Sequence, residues 1–263
     1  MTSLLAASEW HIFLERLYAP EAAFWRGFEA TVIIAVAAQL LAIALGLLSA
    51  LAGRSRFKGL RAISYAYVLV IRGTPVIVQI FFIYFGASLF LGFDPFPQRE
   101  NFLLFSVNGA AVAGVVALGI NNGAYMSEII RSGISAIDRG QTEAAISLGM
   151  TNGLAMRRIV LPQAARIILP PLGNEFNGMI KNTSLLAFIG VYEMFFDAQT
   201  HYSQTFQPVP YFLAVAVWYL LLTTIWTLIQ GFLESALDVE YVTPAGRRGW
   251  LKRFTYAFTY QPR

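Results

Sequence analysis

The sequence predicts an all-α membrane protein with five transmembrane helices and short helices on one polar face. Three observations carry this reading. Of the 263 residues, 57% are hydrophobic, and the mean hydropathy is +0.57. Only 13% are charged, about half the share of a soluble globular chain, which must cover itself with charge. The apolar residues are also gathered into runs near the roughly 20 residues that a helix needs to cross a bilayer.

The first expected span covers 28–52 and centres on TVIIAVAAQLLAIALGLLSAL. The second covers 64–91 and is interrupted by Arg72-Gly73-Thr74-Pro75. The third, 107–130, is rich in Gly and Ala. The fourth, 183–199, is the weakest, and the fifth, 209–233, carries Trp218 and Trp226. Between spans, 92–106 reads as a short structured loop with Pro95 and Pro97. Residues 200–210 read as a turn into the last span, with Pro208 and Pro210. There is no internal repeat and no low-complexity tract.

Charge placement sets the orientation. Of the 19 lysines and arginines, four lie in 53–61, six in 131–181 and five beyond the last span. Basic residues mark cytoplasmic segments, so the N-terminus is expected outside and the C-terminus in the cytoplasm. Residues 1–27 carry Glu9, Glu15 and Glu21 without a basic start and apolar core, unlike a cleavable signal. They are expected to form an extracytoplasmic segment. A membrane-spanning body follows over 28–237, with a polar loop at about 132–181, and a basic cytoplasmic tail occupies 238–263. The net charge of +4 then reflects lipid headgroups and topology rather than nucleic acid.

Other chemistry is excluded or bounded. With no cysteine, disulfides, thiolate metal sites and cysteine nucleophiles are ruled out. His11 and His201 are too few and too far apart to suggest a metal site. No clustered His, Asp and Ser constellation points to an enzyme. The chain carries no G-x-x-x-x-G-K-[ST] phosphate loop, so it is not expected to hydrolyse ATP.

The loop 131–181 is the informative segment. Asp138 can cap a helix, with Gln141 three residues on as in a capping box. Gly149 fits a helix end that requires positive φ. Thr151 or Asn152 can cap a second short helix, which Pro162 is expected to stop or redirect. Two short amphipathic helices on one face suit docking against another protein. Glu143-Ala144-Ala145, Gly149, Ile159 and Leu161-Pro162 at this spacing resemble the EAA loop of ATP-binding-cassette (ABC) importer permeases. Arg72-Gly73-Thr74-Pro75, the run Ala124 to Ile134, Leu161-Pro162-Gln163-Ala164, Pro170 to Glu175 and Lys181 to Leu185 resemble the polar amino acid branch of that family (histidine/glutamine/arginine type). The resemblance runs from about 27 to 237.

The resemblance implies a type I-like importer fold in the bacterial cytoplasmic membrane. It also implies a pair of permease subunits, identical or homologous, two ATPase subunits that bind ATP and Mg, and an extracytoplasmic amino acid-binding protein. Glu143, Ala144, Ala145, Gly149, Leu161 and Pro162 then form the coupling elbow that sits in an ATPase groove. The substrate is expected to be a polar amino acid or close analogue. The alternative, an ion-coupled secondary amino acid carrier, calls for paired intramembrane acids and repeated halves, neither of which is evident.

Polar residues inside the spans have two readings each. Arg72, Gly73, Thr74 and Pro75 form either a structural kink or a gate. Asn121 and Asn122 are candidates to line the pathway, and Glu128 pairs with Arg131 at i,i+3 spacing. Asn182, Thr183 and Ser184 either contribute to the substrate region, as the resemblance implies, or cap a helix. Glu193 and Asp197 share a helix face near the outer end, as cation ligands or as solvated acids, and Glu175 has the same two readings. Trp218 and Trp226 are expected to pack against lipid or to anchor at the interface.

Overall fold

The computed structural model describes residues 2–97, 100–102 and 105–236; the basic tail expected over 238–263 lies outside them. Eleven α-helices occur among the described residues: α1 (Thr2–Tyr18), α2 (Ala22–Gly53), α3 (Lys58–Arg72), α4 (Val76–Phe81), α5 (Ala87–Leu91), α6 (Gly109–Ser135), α7 (Arg139–Ser147), α8 (Asn152–Ala155), α9 (Leu161–Asn182), α10 (Met194–Thr205) and α11 (Pro208–Ala236). A π-helical turn, Phe82–Gly86, joins α4 to α5, and another, Met156–Val160, joins α8 to α9. The loop expected over 92–106 holds an antiparallel hairpin, Glu100–Phe102 with Phe105–Val107.

Three helices, α2, α6 and α11, are each long and apolar enough to cross a membrane, and the bent pair α3 with α4–α5 makes a fourth candidate. The bend is 109° and falls at Gly73-Thr74-Pro75, where the sequence places it. Pro75 contributes no N–H, and its ring disfavours helical backbone at Thr74. The helix restarts at Val76 with Pro75 extended as its cap.

The span expected over 183–199 is not a continuous helix. The long helix lies earlier, as α9, and passes into a 3₁₀ segment, Thr183–Ile189, that ends at left-handed Gly190. A separate helix begins at Met194. Polar residues of α9, among them Arg166, Asn174, Glu175 and Lys181, hid it from a hydropathy count. Pro162 does not stop the preceding helix either. It occupies the first turn of α9, where a missing N–H is tolerated, and the π-helical turn before it carries the chain through without a break.

The core is a close pair, α2 against α6. Ala35, Ala38 and Ala42 face Ala117, Leu118 and Met126, all buried. A Cβ on Gly46 would collide with the Met126 side chain, so glycine is required there. Without water-driven association between helices in lipid, small residues and interhelical hydrogen bonds hold such pairs. Ser49 Oγ lies 3.0 Å from both Ser64 Oγ and Ser127 Oγ, tying α2, α3 and α6. Tyr67 donates to the Ile120 carbonyl at 2.6 Å. In α6, 67% of the apolar window is buried, against 11% in α11. Helix α6 is therefore central, and α11 leaves most of its apolar surface uncovered by the rest of the chain.

Gly46→Leu is expected to cost about 1–3 kcal/mol through overpacking, read as a lowered thermal unfolding midpoint of the purified chain. Gly231→Ala, where the new Cβ meets nothing within 4 Å, serves as the control and should leave the midpoint unchanged or raise it.

Candidate functional site

The break between α3 and α4 opens beside α6 and the far end of α9. Thr74, Pro75, Val76, Asn121, Asn122, Tyr125, Glu175 and Asn182 line a cleft of about 240 Å³. Thr74 and Pro75 are exposed, so the cleft opens to one side of the chain. The guanidinium of Arg72 lies 5.1 Å from the Tyr125 ring centre, which puts a cation at the cleft margin near the Glu175 carboxylate. The remaining polar lining is neutral, from the three asparagines, Thr74 and Tyr125.

The cleft wall is fixed by a residue that sequence reasoning did not single out. Gln79 Nε2 donates to the Ile71 carbonyl at 2.8 Å, the Thr74 carbonyl at 3.1 Å and Thr74 Oγ1 at 2.7 Å. Its Oε1 accepts from Asn121 Nδ2 at 3.0 Å. The carbonyls released by the break thus find their donor in one buried amide four residues into α4. Asn122 Nδ2 donates to Gln39 Oε1 at 3.0 Å, joining α6 to α2. A lone glutamine after a Pro-broken helix is the only sequence signal that pointed here.

The other expected pathway residues divide. Asn121, Asn122 and Asn182 reach the cleft. Thr183 and Ser184 do not line it. Their hydroxyls donate to the Ile180 and Lys181 carbonyls, each at 2.7 Å, inside the turn that converts α9 to 3₁₀ geometry. Nor do they cap a new α-helix. Of the gate candidates, Thr74 and Pro75 line the cleft, Gly73 closes α3 by donating to Leu69, and Glu128 pairs with Arg131 at 2.6 Å. Arg131 also sits 5.6 Å from the Tyr65 ring centre, which fixes α6 to α3.

At the opposite end of α9 lies the elbow. The Asp138 carboxylate accepts from Gly140 N, so the cap forms. Gln141 does not complete a capping box and instead accepts from Gln163 Nε2 at 3.3 Å. At the far end of α7, Gly149 N donates to the Ile146 carbonyl and Met150 N to the Ala145 carbonyl, with Gly149 at φ +84°. This is a Schellman turn, which places glycine in the left-handed region. Thr151 caps α8 through Leu154 N. Ala145 is buried and Ala144 exposed, so only the former supports packing within the chain. Glu143, Ala144, Gly149, Leu161 and Pro162 are exposed, and Leu148 is 83% exposed. The elbow exposes apolar side chains, Ile146, Leu148 and Leu154, among charged ones, Asp138, Arg139, Glu143, Arg157 and Arg158. The helix that leaves it, α9, carries Glu175 and Asn182 into the cleft; its 22 residues span about 33 Å.

Glu193 and Asp197, near the other end of the bundle, are buried rather than solvated. Glu193 is fully buried and caps α10, accepting from Phe195 N at 2.9 Å, Phe196 N at 2.7 Å and Tyr219 OH at 2.6 Å. Asp197, also buried, accepts from Tyr192 OH. Both tryptophans face protein. Trp226 donates to the Gly173 carbonyl at 2.8 Å and packs on Phe176. Trp218 packs on Phe24, Trp25 and Phe28.

A family model described as binding-protein-dependent transport system inner membrane component matches residues 42–239. The probable amino-acid permease protein YxeN of Bacillus subtilis (strain 168) is 37% identical over 213 residues, covering 81% of this chain and 90% of that protein. The L-cystine transport system permease protein TcyB of the same organism is 35% identical over 214 residues, covering 81% of this chain and 85% of that protein. Among solved structures, the crystal structure of an amino acid ABC transporter with histidines superposes with a TM-score of 0.72 at 36% identity, covering 81% of this chain and 94% of that one.

Gln79→Leu keeps the volume but leaves the Ile71 and Thr74 carbonyls without their donor. The expected loss is about 1–3 kcal/mol, read as a lowered thermal unfolding midpoint. Asn121→Leu, which leaves those carbonyls satisfied, should cost less.

Proposed function

This chain belongs to the binding-protein-dependent transport system inner membrane components, and from that premise we propose that it carries polar amino acids or close analogues inward through the Arg72–Glu175 cleft. It is a permease subunit of an ABC importer, not an enzyme, and in such systems nucleotide is bound by a partner ATPase. The observation that carries the reading is α9, one unbroken helix with the elbow at its start and the cleft at its end. A partner that shifts the elbow moves Glu175 and Asn182 with it, because a packed helix transmits displacement as a rigid body.

The chemistry of the cleft suits a zwitterion. An α-ammonium group pairs with the Glu175 carboxylate, an α-carboxylate with the Arg72 guanidinium, and the neutral amides accept a polar side chain. Charge-assisted bonds of this kind are stronger than neutral ones, and two of opposite sign select the amino acid backbone while leaving the side chain loosely specified. Because the cleft is open laterally, a second permease subunit, identical or homologous, completes the path. The exposed elbow docks the ATPase, with Glu143 at its rim, and an extracytoplasmic binding protein delivers substrate at the other end. Five crossings, with the N-terminus outside and the elbow in the cytoplasm of a bacterial inner membrane, agree with the placement of the basic residues. An ion-coupled carrier is not favoured, since it gives the elbow no role.

The test is uptake of radiolabelled amino acids into proteoliposomes holding the chain with its partner ATPase and binding protein. Uptake should require ATP. Uptake that persists without the ATPase would overturn the reading. Glu143→Lys is expected to lower transport per ATP hydrolysed on the order of tenfold, a common size for a coupling between sites, with membrane insertion unchanged. Wild-type coupling in that variant removes the elbow from the mechanism. Glu175→Gln should raise the concentration for half-maximal uptake without altering ATP dependence.

A further inference from the structure

Helix α1 lies mostly outside what the transport reading uses, and the family match begins only at residue 42. Its position follows from contacts. The C-terminal half of α11 meets the elbow half of α9 through Trp226 on Gly173 and Gln230 on the Pro170 carbonyl. The first turns of α11 therefore lie at the other end of the bundle, and there they meet α1. Arg16 of α1 pairs with Glu21 at 2.9 Å, reaches the His201 ring at 3.3 Å and lies 5.6 Å from the centre of the Tyr211 ring. The Arg16 carbonyl accepts from Trp218 Nε1 at 3.5 Å. Ile12, one turn earlier, packs into the Phe24–Met194–Tyr211 cluster.

With Ile12 and Arg16 directed at the protein, helical geometry divides the rest of α1 into two further arcs. Trp10, Leu14 and Tyr18 recur every four residues, so they form one stripe. They are 58%, 46% and 79% exposed. His11 and Glu15 form the neighbouring polar stripe, both strongly exposed and 3.9 Å apart. A helix with a protein face, an aromatic face and a polar face fits a boundary where hydrocarbon, protein and water meet. Tryptophan and tyrosine favour the headgroup level, one end apolar and the other wet. Trp25 of α2 and Val209 of α11 are likewise exposed at this end.

We propose that α1 is an in-plane membrane helix whose Trp10–Leu14–Tyr18 stripe lies on the phospholipid surface at the end of the bundle opposite the elbow, with His11 and Glu15 in water. Its one cation from residue 9 onward, Arg16, is engaged with Glu21 and His201. Attachment is therefore apolar and aromatic rather than electrostatic, and it does not need anionic lipid. Through Arg16 and Trp218 the helix holds the α10–α11 corner at headgroup level, giving the moving helices a fixed outer rim.

The absence of cysteine makes the test direct. Single variants Trp10→Cys, Leu14→Cys, Tyr18→Cys, His11→Cys and Glu15→Cys of the full chain, assembled with its partner subunits, carry a nitroxide label. They are placed in phosphatidylcholine vesicles and in mixed phosphatidylcholine–phosphatidylglycerol vesicles. Collision with oxygen, which partitions into lipid, is compared with collision with a water-soluble nickel chelate. Labels at 10, 14 and 18 should show a severalfold higher oxygen-to-nickel ratio than labels at 11 and 15, equally in both lipids. A water-like ratio at all five positions overturns the proposal, as does a lipid-like ratio at all five, which would make α1 a spanning helix. Shielding of 10, 14 and 18 from both reagents assigns the stripe to a protein partner instead. A ratio that rises only with phosphatidylglycerol overturns the apolar mode of attachment.

Discussion

A bilayer core holds no water to take up a freed carbonyl or amide, and each irregularity in this bundle is shaped by that constraint. Helix α3 breaks at Gly73-Thr74-Pro75, and the Gln79 amide supplies the donor that hydrocarbon cannot. The 3₁₀ segment after α9 begins with two hydroxyls that bond back to the preceding turn. At each of these places the side chain that repairs the backbone also ties one element to another or fixes its local path, so the repairs build the tertiary structure.

The same constraint shapes the functional site. A cleft suited to a charged substrate needs polar groups at depth, and these persist only when held by protein. Asn121 is held by Gln79, Asn122 by Gln39, and Arg72 lies over Tyr125. Glu175 and Asn182 arrive on α9, the helix that starts at the elbow. In the proposed mechanism, mechanical input and substrate contact meet on this single element, and the α2–α6 pair, locked by Gly46, Met126 and the three serines, is the frame against which it moves.

The two ends of the bundle differ in chemistry. The elbow end exposes Leu148 and Glu143 on a capped, glycine-terminated helix, a surface shaped to be gripped. The opposite end buries two acids, Glu193 in the α10 cap and Asp197 under Tyr192, and pins α1 through Arg16. One end is open to a partner and the other is closed on itself, an asymmetry suited to a subunit driven from one side.

Much of this was legible in the residue order because local rules govern it. Hydropathy alone marks α2 and α11. Proline and glycine chemistry predicts the break at 73–75 and the left-handed turn at Gly149, and the spacing from Glu143 to Pro162 marks the elbow. Tertiary structure decided what depends on residues distant in sequence. Helix α9 was misplaced because its polar face is matched by the cleft and by α11, and a hydropathy window counts polarity without seeing what pairs with it. Glu193 read as a cation ligand or a solvated acid because its donor Tyr219 lies 26 residues away and reaches it only once α11 packs on α10. Gln79 gave almost no signal, since its role arises from carbonyls five and eight residues earlier that only the 109° bend brings within its reach.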